Sequence, residues 1–350
     1  MSTMLSALGA MLFLVLFTLS PLGWQALGHA WLTVVAAFCV IPLLDAWVGR
    51  AALPVFSGTP PWFARWVPRV QLPAQLALLL GAAAWAPALD AGQIVALTVA
   101  VGIVTGGSGI TVAHELTHRR GALDRALAKG LLVTVGYCHF FVEHVRGHHV
   151  RVATPEDPAT APRGMNVYRF VARSVVGGAR HAWRLEAMRL RQRGRSVWHP
   201  SNVVLTGALA SLGLLALASW GFGPAAVVLL VGQAAVAVAL LEVINYVEHY
   251  GLLRRRLGAH YEPVQPRHSW NADQRISNWI LLNLQLHSDH HAHMDRPFET
   301  LRNWTDAPRL PAGYPTMVLL ALLPPLWFRV MDPRLPTFPD AELPEQVVAG

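Results

Sequence analysis

Nine histidines in four short motifs set the chemistry open to this chain. The first two motifs are His114-Glu115-Leu116-Thr117-His118 and Glu143-His144-Val145-Arg146-Gly147-His148-His149. After a long gap follow Asn245-Tyr246-Val247-Glu248-His249-Tyr250-Gly251 and His287-Ser288-Asp289-His290-His291. A transition metal takes about three to six protein ligands, so nine imidazoles exceed one metal and suit two. Residues four apart share a helix face, so His114 and His118 can close on one ion. His144 and His148 repeat that spacing, which leaves His149 to a second metal from the adjacent face. His287, His290 and His291 form one helical stripe, and His249 completes the set.

Imidazole suits iron, zinc and copper alike, so the ligand type does not name the metal. The first motif also fits a zinc protease with Glu115 as general base, but such a site needs only one further ligand. Three more clusters argue for a larger centre. A metal-bound histidine needs a partner for its second ring nitrogen. Glu115, Glu143, Asp157, Glu248 and Asp289 lie close enough in sequence to serve as outer-shell acids, and one of them can instead be a ligand. His139, His268 and His293 stand near the motifs as outer-shell or channel residues. His29, His181, His199 and His260 read as ordinary polar residues.

The elements that hold these motifs are largely apolar. Of 350 residues, 53% are hydrophobic and only 14% charged, which suits an integral membrane protein better than a soluble enzyme. Spans are predicted at about 4–22, 30–48, 72–89, 93–113, 203–220 and 225–246, joined as three hairpins. The first lacks a basic flank and reads as a span, not a cleaved signal. The fold expected is all-α, with six transmembrane helices and a cytoplasmic helical cap holding the histidines. A single domain is expected over 1–335, with a partly ordered tail at 336–350. Segments 131–142 and 313–328 read as packing or interfacial elements, the second because Pro324 and Pro325 would break a span.

The formal charge is +8, from 28 basic and 20 acidic residues. The arginines flank the apolar spans, which is a topology signal and argues against nucleic acid. By the positive-inside rule both termini and all four motifs face the cytoplasm. Cys39 and Cys138 have no metal-type spacing, which excludes a cysteine-held iron–sulfur site, and they are not expected to pair. Gly102, Gly106, Gly107 and Gly109 of the fourth span either widen a channel or allow close helix packing, with packing favoured. Ala36 and Ala37 of the second span leave room for a long chain.

These motifs resemble those of the membrane-bound alkane 1-monooxygenases, a branch of the histidine-rich di-iron family that includes the fatty acid desaturases. The resemblance runs from Ile41-Pro42-Leu43-Leu44-Asp45 to Val330-Met331-Asp332-Pro333-Arg334. Its most specific parts are 143–149 with Val152-Ala153-Thr154-Pro155-Glu156-Asp157-Pro158-Ala159, then 245–253, then 284–292. Arg193-Gly194-Arg195-Ser196-Val197-Trp198 and Pro266-Arg267-His268-Ser269-Trp270-Asn271 also match. The resemblance implies that all nine motif histidines bind two iron ions. It implies O2-dependent terminal hydroxylation of medium-to-long n-alkanes, with electrons from rubredoxin and rubredoxin reductase, at a bacterial-type inner membrane. Three departures are Leu286 in place of an arginine, Arg119-Arg120 after the first motif, and His293-Met294-Asp295-Arg296-Pro297-Phe298. None removes a ligand.

Benzylic methyl hydroxylation of xylene- or cymene-like aromatics is the close rival, and desaturation a more distant one. A metal-binding or metal-transporting membrane protein is the alternative from another class. Transport calls for ligands near the bilayer midplane, whereas these motifs sit at helix ends and beyond.

Overall fold

A computed structural model describes residues 27–28, 30–50 and 62–336. Among these, five helices are long and apolar enough to cross a membrane. They are α1 (Trp31–Val48), α2 (Trp62–Trp85), α3 (Ala91–His118), α7 (Val203–Phe222) and α8 (Pro224–His249). The predicted span at 4–22 and the tail beyond 336 lie outside the described residues. Two helices on the chain between these spans, α4 (Ala122–Thr134) and α6 (Val167–Arg191), flank α5, which covers 140–151. Four short helices complete the array: α9 (Arg275–Ile280), α10 (His287–Ala292), α11 (Tyr314–Ala321) and α12 (Pro324–Met331). Among the described residues a two-stranded hairpin, Arg256–Leu257 against His260–Tyr261, departs from the all-α pattern.

Local chemistry sets several boundaries. The Asp90 side chain accepts the Gln93 amide while the Gln93 side chain caps Asp90, so α3 starts in a capping box. Gly223, at φ 80°, links the end of α7 to Pro224 at the first position of α8. That single residue makes the predicted hairpin. Helix α2 begins well before the predicted 72 and keeps Pro68 and Pro73 inside it. Arg69 survives there because its guanidinium forms two hydrogen bonds to Asp124 on α4, at 2.8 and 3.1 Å. Pro324 and Pro325 do break the 313–328 segment, but they also start α12.

Small residues and buried amides lock the spans together. A Cβ on Gly102 would lie 2.5 Å from Val236 Cβ, and one on Gly106 3.0 Å from Ala237 Cα, so α3 and α8 meet almost backbone to backbone. Thr105 donates to Gln233 at 2.7 Å across that contact, and Gln233 donates to the Thr134 carbonyl at 2.9 Å. Gln75 on α2 reaches the Thr134 hydroxyl at 2.6 Å. In low dielectric such satisfied amides fix one register among four helices. The packing reading therefore holds for Gly102 and Gly106, whereas Gly107 has nothing within 4 Å and lines a cavity.

Candidate dinuclear metal centre

The end of α3 carries His114 and His118, α5 carries His144, His148 and His149, α8 ends at His249, and α10 carries His287, His290 and His291. Their side-chain nitrogens sort into two groups. His114, His118, His144, His149 and His290 form one, and His148, His249, His287 and His291 the other, each within 4.8 Å. Eight of the nine side chains are buried; His118 alone is partly exposed.

This sorting corrects two spacing arguments. His144 shares its group with His149, not with His148. The cause is a π turn over His144–His148, whose i→i+5 bonds bring residues five apart onto one face. Gly147 sits inside that turn because a Cβ there would run into the Glu143 carboxylate. Nor do the three histidines of α10 act as one stripe: His287 and His291 face the second group and His290 the first. A single helix thus serves both.

Within the groups, Nε2 atoms crowd together. His118 and His149 lie 2.9 and 3.0 Å from His144, and His290 lies 3.1 Å from His149. In the other group His287 stands 3.2 Å from His249 and 2.9 Å from His291. Burial first, then neighbouring imidazoles, push His144, His149, His290 and His291 well below the usual histidine pKa. Neutral rings present lone pairs to one another, an arrangement that a shared cation stabilises. The residues present fit two metal ions.

The acids divide by what they touch. Asp157 accepts from His148 Nδ1 at 2.9 Å, leaving Nε2 free to face a metal. Burial opposes protonation of His148, but the Asp157 carboxylate outweighs it and raises its pKa. Glu248 Oε2 lies 3.2 Å from His287 Nε2, the inward nitrogen, which places this acid beside the ligand atoms. Glu115 is engaged by Arg119 at 3.1 Å, and Glu143 by His181 Nδ1 at 2.8 Å. Burial, helped by Asp157, pushes the Glu143 carboxyl up to about 8. Asp289 gathers His293, Arg296, the Arg302 amide and Trp304, all within 2.9 Å, and so anchors α10 to the following loop. His268 bonds Glu262 at 3.1 Å and belongs to neither group. His181 was read as an ordinary residue; its hydrogen bond to Glu143 spans 38 residues, a separation no local pattern signals.

Two apolar cavities lead to the imidazoles. The inner one, about 50 Å³, is lined by His114, His144 and His287 together with Ile110, Phe140 and Leu284. The outer one, about 60 Å³, is lined by Ala37 and Phe38 of α1, Gly107 of α3 and Val318 of α11. Ile244, Leu281 and Tyr314 line both, so the two meet at one constriction. All three π turns of the described chain (Ala36–Val40, Thr105–Ile110 and His144–His148) contribute to this path. A separate cleft of about 430 Å³, rich in arginine, reaches His118.

The fatty acid desaturase family matches residues 91–321. Alkane 1-monooxygenase 1 of Pseudomonas aeruginosa is 44% identical over 316 residues, covering 86% of this chain and 82% of that protein. The alkane 1-monooxygenase of Pseudomonas putida is 40% identical over 338 residues, 91% of this chain and 83% of that protein. The xylene/toluene monooxygenase hydroxylase component of Pseudomonas putida is 34% identical over 250 residues, 71% of this chain and 65% of that protein. Identity this high over most of the chain makes it a member of the bacterial alkane 1-monooxygenase family within the fatty acid desaturases.

Proposed function

We propose that this membrane protein hydroxylates the terminal carbon of medium-to-long n-alkanes, using O2 and electrons from rubredoxin and its reductase. The observation that carries the reading is the apolar path from α1 to the two imidazole groups. Nine motif histidines hold two irons: His114, His118, His144, His149 and His290 on one, His148, His249, His287 and His291 on the other. When bound, the irons supply the site at which dioxygen is bound and reduced. Asp157 orients His148, and Glu248 stands beside His287.

The chain's main contribution to selectivity is position. A terminal C–H bond is stronger than an internal one, so a freely tumbling alkane would react elsewhere. The Ile244–Leu281–Tyr314 constriction admits one narrow chain and presents its end to His114, His144 and His287. Arginines beyond the helix ends orient the histidine layer to the cytoplasm of a bacterial inner membrane. They also suit an acidic electron carrier.

The test is product analysis in cells given the chain, a rubredoxin and its reductase, fed mixed n-alkanes and p-xylene. Primary alkanols that vanish in His290→Ala support the reading. Methylbenzyl alcohol alone would move the chain to aromatic methyl groups, the reaction class suggested by the xylene/toluene relative. No oxygenated product from iron-loaded, reduced enzyme would overturn it.

A further inference from the structure

The proposed reaction, RH + O2 + 2 e⁻ + 2 H⁺ → ROH + H2O, consumes protons at a site largely buried from solvent. Eight motif imidazoles are at most 8% exposed. The inner cavity, mainly apolar in its walls, suits substrate, and its one carboxyl, Glu248, stands against His287. A second small cavity shares His144, adds His148, and has two carboxyl groups, Glu143 and Glu242, on its wall.

That cavity, about 20 Å³, is lined by His144 and His148 together with Tyr137, His139, Glu143 and Glu242. Its volume matches roughly one water molecule. Besides the metal-facing Nε2 of His148, two side chains on its wall carry a buried atom with no hydrogen-bond partner: His139 Nε2 and Glu143 Oε2. Buried polar atoms of this kind are normally satisfied, by water where protein groups do not reach. Glu242 is 2% exposed and is held in place by three donors, none of them arginine or lysine. Tyr137 donates to Oε1 at 2.7 Å, Asn245 to Oε2 at 3.2 Å, and the Ser174 hydroxyl also bonds the carboxyl. Burial, then Glu242 itself, pushes the Tyr137 phenol well above its usual pKa, so it remains a donor. Among the polar residues lining the cavity, only His139 is partly exposed.

We infer that this cavity holds an ordered water through which Glu242 passes protons to the oxygen-reducing site, with His139 at the outer end. The Glu242 O–H bond breaks as the water hands a proton to reduced oxygen. The carboxylate then regains a proton from the His139 side, and the electrons come from the carrier. Tyr137 is a positioning residue, since it holds the Glu242 carboxyl toward the water without touching substrate. The inference rests on the monooxygenase reading, and it fails separately: wild-type alcohol formation tests that reading, and only variant-to-wild-type ratios test the relay.

The experiment compares wild type with Glu242→Gln, Glu242→Asp and Tyr137→Phe, each checked for iron content and thermal stability. Glu242→Gln should lower alcohol formation about a hundred-fold, the ordinary effect of losing a positioned acid. Reductant consumption should fall less, the surplus electrons appearing as hydrogen peroxide. The solvent isotope effect should rise, and Glu242→Asp should restore part of the coupling. Independently of turnover, infrared spectra of iron-free protein should show a protonated carboxyl band that shifts in D2O and is lost in Glu242→Gln. If Glu242→Gln loses iron or unfolds, Tyr137→Phe decides by the same ratios. Unchanged coupling and isotope effect in folded, iron-loaded variants would overturn the relay and send the protons through the cleft at His118. Absence of the carboxyl band from wild type would overturn it too.

Discussion

The two imidazole groups are unequal, and the inequality is chemical. The group of five draws only nitrogen from α3, α5 and α10, and it contains the one motif histidine that is partly exposed, His118. The group of four is wholly buried and has carboxylates against it, Asp157 on the outward nitrogen of His148 and Glu248 on the inward side of His287. Acid beside the smaller group offsets the charge of a cation there and leaves fewer nitrogens to hold it. In the proposed two-iron centre one site is thus rich in ligands and the other would depend on each of its four, with its geometry set by second contacts.

The largest effects should come from removing one ligand on each side. His291→Ala leaves three imidazoles in the smaller group, and His118→Ala leaves four in the larger. Both should abolish alkanol formation, but for different reasons. Iron analysis should find about one iron per chain in His291→Ala and close to two in His118→Ala, since four nitrogens still suit a transition metal. Equal iron loss from both would erase the distinction between the groups.

A smaller effect should separate the acids. Asp157→Asn weakens the hold on His148 and should cost about 10- to 100-fold in iron affinity or activity, the range for such outer contacts. Glu143→Gln, whose carboxyl faces His181 and not a ligand, should retain its iron. Matching iron loss in the two variants would show that local charge, not contact with His148, is what counts.

The helices that carry the groups can be pried apart without touching a ligand. Helix α3 bears two histidines of the larger group and α8 bears His249 of the smaller. Gly102→Ala drives a Cβ into Val236, against backbone on the far side, and should cost about 1–3 kcal/mol as overpacking does. Thermal unfolding in detergent would read this as a lowered midpoint. Gly107→Ala, with open space around its Cα, is the control and should leave that midpoint in place.

Much of this arrangement was legible in the residues. Apolar length located the five described spans, since a hydrocarbon core constrains composition over every turn. Histidine spacing identified the motifs and gave the pairing of His114 with His118 correctly, because that stretch is regular α-helix. It failed at His144, where a π turn shifts the phase by one residue and no residue type announces it. It failed again at α10, where two neighbouring faces of one helix serve two groups. Adjacency also misled for the acids: Glu115, Glu143 and Asp289 neighbour motif histidines in sequence but bond to arginine, to His181 and to the following loop. Glu242 and Tyr137, 105 residues apart, form a contact that only the fold creates.

The smallest expected effect tests where the proposed substrate meets the two groups. The inner cavity touches His114 and His144 of the larger group and His287 of the smaller, so a chain end there lies between the two. Ala37, 7% exposed on the π turn of α1, lines the outer cavity beyond the constriction. A tryptophan at this position would fill that cavity and leave the imidazoles untouched. In Ala37→Trp the product profile should therefore move toward shorter alkanes, by about a few-fold in the ratio of short to long chains. A gain or loss of one methylene's burial is worth only about 1 kcal/mol, so steric exclusion and not weakened binding must produce a sharp cutoff. Iron content should match wild type, and activity on the shortest substrates should persist. A uniform loss across all chain lengths would mean that the outer cavity does not carry the alkane, and that substrate approaches the two groups from another side.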